Sequence, residues 1–404
     1  MGASIGIVGG GQLAWMLAEA ARARGVALHV QTPSPQDPAV ALAASVVQAD
    51  VRDASATREL ASRCSAISFE NEWLDLDALA PLEAEGVHFV PSLEALRPLV
   101  CKRSQRELLQ RLNLPSPRWM PLDQLSPTVP SAPVPSPAAA APALPEDFSY
   151  PLMAKAASGG YDGKGTAVLR APADLAALLE RVDPANWILE EFVSFEQELA
   201  LVAARDQAGE VVCFPLVQTH QHQQVCDWVL APVEASHALQ QAARNIAASL
   251  LTSLQYVGVL SIEFFYGPRG LMINELAPRT HNSGHYTIEA CSLSQFDQQL
   301  RVVAGEPAQE PAWRVPGALM VNLLGFEVSE SDYTAQRESL AALPDAHLHW
   351  YGKSGASVGR KLGHVTLLLQ EPEATARRQE AMQRLEQVRL IWPLPPEPIP
   401  PKAS

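Results

Sequence analysis

Cysteine is scarce in this chain and never grouped. The five residues, Cys64, Cys101, Cys213, Cys226 and Cys291, are odd in number and form no C-x-x-C pair. That pattern argues against a disulfide framework or a cysteine zinc site and predicts reduced, buried thiols. Positive charge is also in short supply: 30 Lys and Arg against 44 Asp and Glu leave a formal net charge of −14. A nucleic-acid partner needs a basic face, so none is expected. Long apolar runs are missing as well. None approaches the ~20 residues that cross a bilayer, so no membrane partner is expected. The N-terminus opens on a strand with no basic leader, which makes a cytoplasmic location the expectation. What is present is a globular composition, 47% apolar and 18% charged over 404 residues, enough for two or three domains.

The first 31 residues read as strand, glycine turn, helix, strand: Ile5–Val8, Gly9-Gly-Gly-Gln12, Leu13–Arg24 closed by Gly25, then Val26–Val30. This is the opening of a Rossmann-like layer. The spacing Gly9-x-Gly11-x-x-Ala14 matches a dinucleotide fingerprint only loosely. Gln31-Thr-Pro33 stands where an NAD site wants an acid, so the helix N-terminus is left to face a phosphate or ribose of another ligand. The strand Ala66–Phe69 ends in Glu70-Asn-Glu-Trp73, where open α/β sheets place ligands; the plainer reading is a cap on the next turn. Arg103–Leu112 is helical. Residues 126–147 are a Pro/Ala/Ser tract that cannot bury a periodic face, and they read as an exposed insertion.

Strand Tyr150–Lys155 runs into Ala156-Ala-Ser-Gly-Gly-Tyr-Asp-Gly-Lys-Gly165. Such a glycine loop can wrap phosphates with its backbone N–H groups, although it is not a P-loop. Trp187–Val193, Glu198–Val202 and Val211–Val217 read as antiparallel strands. His220 and His222, two apart on a strand, share a face but lack a third metal ligand nearby. His237–Ser253 and Ile288–Gly305 read as helices. Gly258–Phe265 and Leu271–Leu276 form a hairpin. Its two carboxylates, Glu263 and Glu275, are what a phosphate-bound Mg²⁺ asks for: few hard oxygen ligands, with nucleotide phosphates supplying the rest. A symmetrical four-residue turn would pair Glu263 with Asn274 and put Glu275 on the other face. Aligning the two acids takes a bulge or an odd-length turn. Beyond Glu275 the chain is dense in polar groups: Arg279, His281, Asn282, His285. The strands Gly317–Gly325, His347–Tyr351 and His364–Leu369 point to a small β-rich C-terminal domain. Between the last two, Lys353, Arg360 and Lys361 sit in a glycine-rich link suited to a phosphate. Thr375–Arg389 is a last helix before a Pro-rich end.

Four ordered motifs carry a resemblance: Gly-Gly-Gly-Gln-Leu (9–13), Gly-Gly-Tyr-Asp-Gly-Lys-Gly (159–165), Asn-Glu-Leu-Ala-Pro-Arg-Thr-His-Asn-Ser-Gly-His-Tyr-Thr (274–287), and His-Trp-Tyr-Gly-Lys (349–353) with Gly-Arg-Lys-Leu-Gly-His (359–364). The chain resembles the ATP-grasp superfamily and, within it, the N5-carboxyaminoimidazole ribonucleotide synthase family. The resemblance implies an α/β and α+β protein with an ATP-grasp fold: a Rossmann-like domain over 1–120, an insertion over 121–148, an ATP-grasp domain over 149–312 and a β-rich domain over 313–404. It implies a carbon–nitrogen ligase of purine biosynthesis that uses ATP and Mg²⁺ to carboxylate 5-aminoimidazole ribonucleotide with bicarbonate, as a homodimer.

Carried over by the resemblance, Glu263 and Glu275 hold the metal. ATP is met by Lys102, Lys155, the loop residues Gly160, Tyr161, Asp162, Gly163, Lys164, Gly165 and Thr166, then Glu190, Glu191, Phe192, Val193, Glu198, Gln221, Asn274 and Glu275. Arg279, His281 and Asn282 orient bicarbonate. Gln12, Glu70, Lys353, Arg360 and Lys361 hold the ribonucleotide. Two departures stand out: Glu70–Trp73 keeps only the acids of the family's motif there, and Gln221 takes the place of a histidine. Other readings are a formate-dependent glycinamide ribonucleotide transformylase-like ligase, a non-catalytic nucleotide sensor and, more remotely, an NAD-dependent oxidoreductase.

Overall fold

The computed structural model describes residues 3–125, 142–159 and 165–396. Most of the 126–147 tract, glycine-loop residues Gly160, Tyr161, Asp162, Gly163 and Lys164, and the end of the Pro-rich tail lie outside the described residues. Four strands open the chain: β1 (Ser4–Val8), β2 (Ala27–Thr32), β3 (Ser45–Gln48) and β4 (Ala66–Phe69). They form a parallel sheet in the order β3-β2-β1-β4. Parallel strands need crossovers on their faces. The helix Gln12–Ala23 supplies one, with Leu13, Ala14, Met16, Leu17, Ala18 and Ala21 buried along one stripe. Gly25, at φ +68°, takes the left-handed position just past that helix, as its sequence position predicts.

A second sheet follows: β5 (Trp119–Pro121), β6 (Leu152–Ala156), β7 (Thr166–Leu169) and β8 (Trp187–Glu191). Its order is β5-β8-β6-β7, antiparallel throughout. The rest of the β structure is β9 (Gln197–Arg205), β10 (Val211–Cys213), β11 (Val217–His222), β12 (Val225–Ala231), β13 (Gly258–Gly267), β14 (Gly270–Ala277), β15 (Gly317–Leu324), β16 (Ala346–Trp350) and β17 (Lys361–Leu369). These nine make one antiparallel sheet, β14-β13-β9-β11-β12-β15-β17-β16, with β10 on β9. The C-terminal strands therefore extend the sheet that carries Glu263 and Glu275, through β12 against β15.

Three sequence expectations change. Val211–Val217 is not one strand: it breaks at Phe214-Pro-Leu216 into β10 and the start of β11, because Pro215 has no N–H for a ladder. Ile288–Gly305 is not one helix. A short turn Thr287–Ala290 ends where Cys291 pairs with Trp313, and Ser294 caps a new helix, Gln295–Val303, in a capping box with Asp297. His220 and His222 do not act as a pair. A bulge between His220 and Gln221 breaks the alternation; His220 stacks on Trp228 and His222 reaches the Pro395 carbonyl.

Candidate active site

The turn after β13 has two residues, with Gly267 paired to Gly270. That register would set Glu263 against Asn274, but the register shifts between Glu263 and Phe264, and Glu263 faces Glu275. A bulge at Asn274 is thus what puts both carboxylates on one face. The helix expected at Arg103–Leu112 runs from Lys102 to Arg111 and delivers Lys102, whose Nζ lies 2.5 Å from Glu275 Oε1. Burial pushes both acids upward. For Glu275 the Lys102 ammonium outweighs it and holds the carboxyl low, whereas Glu263, beside the Glu275 charge, stays raised. The two carboxyls are thus pushed in opposite directions, Glu275 down by Lys102 and Glu263 up by burial and the Glu275 charge.

One helical turn on from Lys102, Arg106 enters a buried network. Its Nε is 2.6 Å from Glu190 Oε1, and its other nitrogens donate to the carbonyls of Ile273 and Asn274 at 3.2 and 2.6 Å. Lys155 Nζ sits 2.8 Å from the same Glu190 and 3.1 Å from Asn274 Oδ1. Burial alone would raise the Glu190 carboxyl; Arg106 and Lys155 bring it down to about 2. Arg106 was not among the sequence candidates. Its signal was the i, i+4 spacing from Lys102, which puts both cations on one helical face. The carboxylate of Glu191, expected at the ATP, is held by Arg118 and Arg269.

Glu198 is raised to about 7 by burial, with His220 pulling weakly the other way. Because the folded value lies above the unfolded one, the folded protein holds the extra proton, and stability falls as pH rises from about 4.5 to 7. Glu198→Gln is expected to raise the melting temperature at pH 8 by about 2–4 °C, with the gain vanishing toward pH 4.5. Melting scans at the two pH values check it; an equal shift at both would show that the carboxyl is not perturbed.

At the C-terminal end of β4, Glu70 accepts hydrogen bonds from Gly11, Leu13 and Ala14 N–H at 2.6, 3.1 and 3.4 Å. A Cβ on Gly9 or Gly11 would come within 2.6 and 2.5 Å of this side chain, so the glycines are there to admit it. The anion at the first helix N-terminus is therefore the chain's own carboxylate. It occupies the seat a dinucleotide pyrophosphate would need, while Gly9, Gly10, Gly11 and Gln12 still border the cleft where a phosphate or ribose of another ligand is expected. Glu70 caps the preceding helix, not the following turn.

Glu72 pairs with Arg279, Nε to Oε2 at 2.9 Å. It was missed as a site residue, though two-residue spacing from Glu70 at a strand end marked the position. His281 Nδ1 lies 3.0 Å from Ser283 Oγ, and its Nε2 lies 3.7 Å from Glu263. Asn282 is buried, and its amide makes a reciprocal pair with Asn322 at 2.9 and 2.6 Å. Lys353 Nζ donates to Gln12 Oε1 at 2.6 Å and to the Lys361 carbonyl at 2.9 Å. Arg360 is anchored on the carbonyls of Ser354 and Gly355.

Among the described residues these parts line a single cleft of about 1280 Å³. Gln12, Glu70, Lys102, Lys155, Thr166, Glu190, Glu191, Phe192, Val193, Glu198, Gln221, Glu263, Asn274, Glu275, Arg279, His281, Asn282, Lys353, Arg360 and Lys361 all border it. Gly165 does not; at φ +81° it turns the chain into β7, and its carbonyl accepts from Ala156. No described helix is long and apolar enough to cross a membrane.

Three family models match the chain in order. They are the ribonucleotide synthetase preATP-grasp domain over 2–99, the ATP-grasp domain over 107–296, and the phosphoribosylaminoimidazole carboxylase C-terminal domain over 318–378. The N5-carboxyaminoimidazole ribonucleotide synthase of Synechococcus elongatus is 50% identical over 97% of this chain and 96% of its own. Among solved structures, the carboxyaminoimidazole ribonucleotide synthase of Aspergillus clavatus complexed with ATP is 30% identical. It superposes with a TM-score of 0.84 over 96% of this chain and 99% of its own. The same enzyme in complex with ADP and 5-aminoimidazole ribonucleotide gives a TM-score of 0.82 at 29% identity, over 96% and 99% of the two chains. With half its residues shared along almost the full length, and with the fold shared as well, this chain belongs to the N5-carboxyaminoimidazole ribonucleotide synthase family of ATP-grasp proteins.

Proposed function

We propose that this protein carboxylates 5-aminoimidazole ribonucleotide on its amino nitrogen, using ATP and bicarbonate, in purine biosynthesis. The observation that carries the reading is that one cleft gathers three kinds of group. Glu263 and Glu275 with Lys102 and Lys155 lie at the hairpin, Arg279 and His281 beyond it, and Lys353, Arg360 and Lys361 with Gln12 toward the first helix. The first set suits nucleotide phosphates, the second a small acid, the third a ribonucleotide phosphate.

Bicarbonate is a poor electrophile because its leaving group would be hydroxide. An oxygen of bicarbonate attacks the γ-phosphorus, the bond to the bridging oxygen breaks, and ADP leaves carboxyphosphate behind. The amine then attacks the carboxyl carbon, the C–O bond to phosphorus breaks, and the amine proton passes to the departing phosphate. What the protein must supply is positioning, charge neutralisation and exclusion of water. Lys102 and Lys155, both tied to carboxylates, place positive charge at the hairpin. Arg279 and His281 orient the small acid, and Lys353 with Arg360 and Lys361 meets the ribonucleotide phosphate.

The donor set at Glu263 and Glu275, two facing carboxylates with Asn274 Oδ1 nearby, fits a Mg²⁺ completed by phosphate oxygens and water, and does not fit a fully protein-caged metal. Glu263 and Glu275 would hold it, and its chemistry would be to offset the charge of the ATP phosphates. A cytoplasmic homodimer with boundaries near residues 120, 148 and 312 completes the proposal.

The test is phosphate release from ATP with the ribonucleotide, with and without bicarbonate. Stimulation by the ribonucleotide and a requirement for bicarbonate are expected. No stimulation would overturn the reading, and stimulation by formate with glycinamide ribonucleotide would replace it with the transformylase.

A further inference from the structure

Behind the Arg279–Asn282 loop lies a residue that the chemistry above does not use. Gln295, first residue of the helix Gln295–Val303, is fully buried. Its side chain holds the main chain of His281 at both polar groups. Oε1 accepts from the His281 N–H at 2.9 Å, and Nε2 donates to the His281 carbonyl at 2.7 Å. The other Nε2 hydrogen reaches His285 Nδ1 at 3.2 Å. A backbone N–H can only donate, so the orientation of the amide is settled. The tautomer of His285 follows: Nδ1 accepts, and the ring proton sits on Nε2.

The surroundings leave this amide no other place. Its backbone N–H donates to Thr287 Oγ1 at 3.0 Å, and that hydroxyl donates to the Gly284 carbonyl at 2.6 Å. A Cβ on Gly284 would meet Gln295 Oε1 at 2.5 Å and Cδ at 2.7 Å. His285 is fully buried and packs its ring 4.8 Å from that of His364, itself stacked on His349 at 4.5 Å. The His281 carbonyl also accepts from the Gly284 N–H at 3.0 Å, and the Gln295 amide supplies the partner of the His281 N–H.

We propose that Gln295 is a positioning residue for bicarbonate activation. It sets the path of the chain through His281, and so the direction in which the Arg279 and His281 side chains meet carboxyphosphate. The proposal rests on the function proposed above. A shift of about 1 Å at a reacting centre costs on the order of 10²-fold. When the loop is loosened, carboxyphosphate is no longer held for the amine. Its C–O bond to phosphorus breaks with the electron pair on the phosphate oxygen, giving CO₂ and phosphate, and ATP is spent without product.

The experiment compares the full chain with Gln295→Met, which keeps the volume and removes all three hydrogen bonds, and with Gly284→Ala, which displaces the amide while leaving it intact. Phosphate released and carboxylated ribonucleotide formed are measured together. The ratio is expected near one in the unaltered protein and to rise about threefold or more in both variants. KM for bicarbonate should increase about tenfold and KM for ATP stay within about twofold. Loss of folded protein alone would lower both outputs in proportion and leave the ratio unchanged. An unchanged ratio and unchanged KM for bicarbonate in either folded variant would overturn the proposal. Insolubility of both would do so too, by making Gln295 a residue of stability. If the unaltered protein shows no ribonucleotide-stimulated phosphate release, it is the function that fails, before any variant is compared.

Discussion

Arg106→Met is expected to destabilise the protein by about 3–5 kcal/mol, because it leaves Glu190 short of a partner in the interior. The side chains of Arg106 and Glu190 are 3% and 2% exposed, so neither can turn to water instead. Lys155 remains, but one ammonium at 2.8 Å cannot replace a guanidinium that also binds two carbonyls. The Ile273 and Asn274 carbonyls lose their donor too, and they belong to the bulged part of β14. The change should therefore loosen the site as well as the fold. Denaturant unfolding measures the loss; a change under about 1 kcal/mol would show that the network contributes little beyond shape. The pH dependence has a definite sign. Glu190 is held at about 2, below the ordinary carboxylate value of 4.5, so its contribution is complete above about 4.5 and is lost as pH falls toward 2. In Arg106→Met that acid slope should shrink.

Glu275→Gln is expected to lower turnover by about 10²–10³-fold while leaving the fold intact. Glutamine keeps the size of the side chain but not its charge. One of the two facing carboxylates loses its hold on a divalent cation, and Lys102 loses the ion pair that places it 2.5 Å away. Raising Mg²⁺ should recover part of the rate, since weaker binding is answered by concentration. Turnover measured across Mg²⁺ concentrations checks this, and unchanged activity at limiting Mg²⁺ would show that Glu275 is not a metal ligand. Glu263→Gln should act in the same direction but less strongly, because the burial that raises the Glu263 carboxyl already disfavours its charge.

These expectations show where local sequence stops being informative. Strands such as Ala66–Phe69 and the helix His237–Ser253 are legible because period and caps are local, and both occur with the boundaries read from the sequence. Most candidate residues were legible through motifs, and those among the described residues, Gly165 aside, border one cleft. One of the sequence errors came from a contact distant in sequence. Cys291 pairs with Trp313 and divides a helix that periodicity alone would run through. The contact between Glu70, at the cleft, and Gly11, 59 residues away, was likewise beyond local reading.

By itself, then, the sequence determined the alternation of elements, the acidic balance, and the set of carboxylates, cations and glycines available for chemistry. These depend on residue type and short-range spacing. Only the tertiary structure decided which of them meet. The bulge at Asn274 aligns Glu263 with Glu275, Arg106 and Lys155 converge on Glu190, Glu72 joins Arg279, and Gln295 closes on His281. The reason is that buried charges and buried peptide groups must find partners wherever the chain brings them. The spacing of residues along a strand or helix does not record which distant segment will supply them.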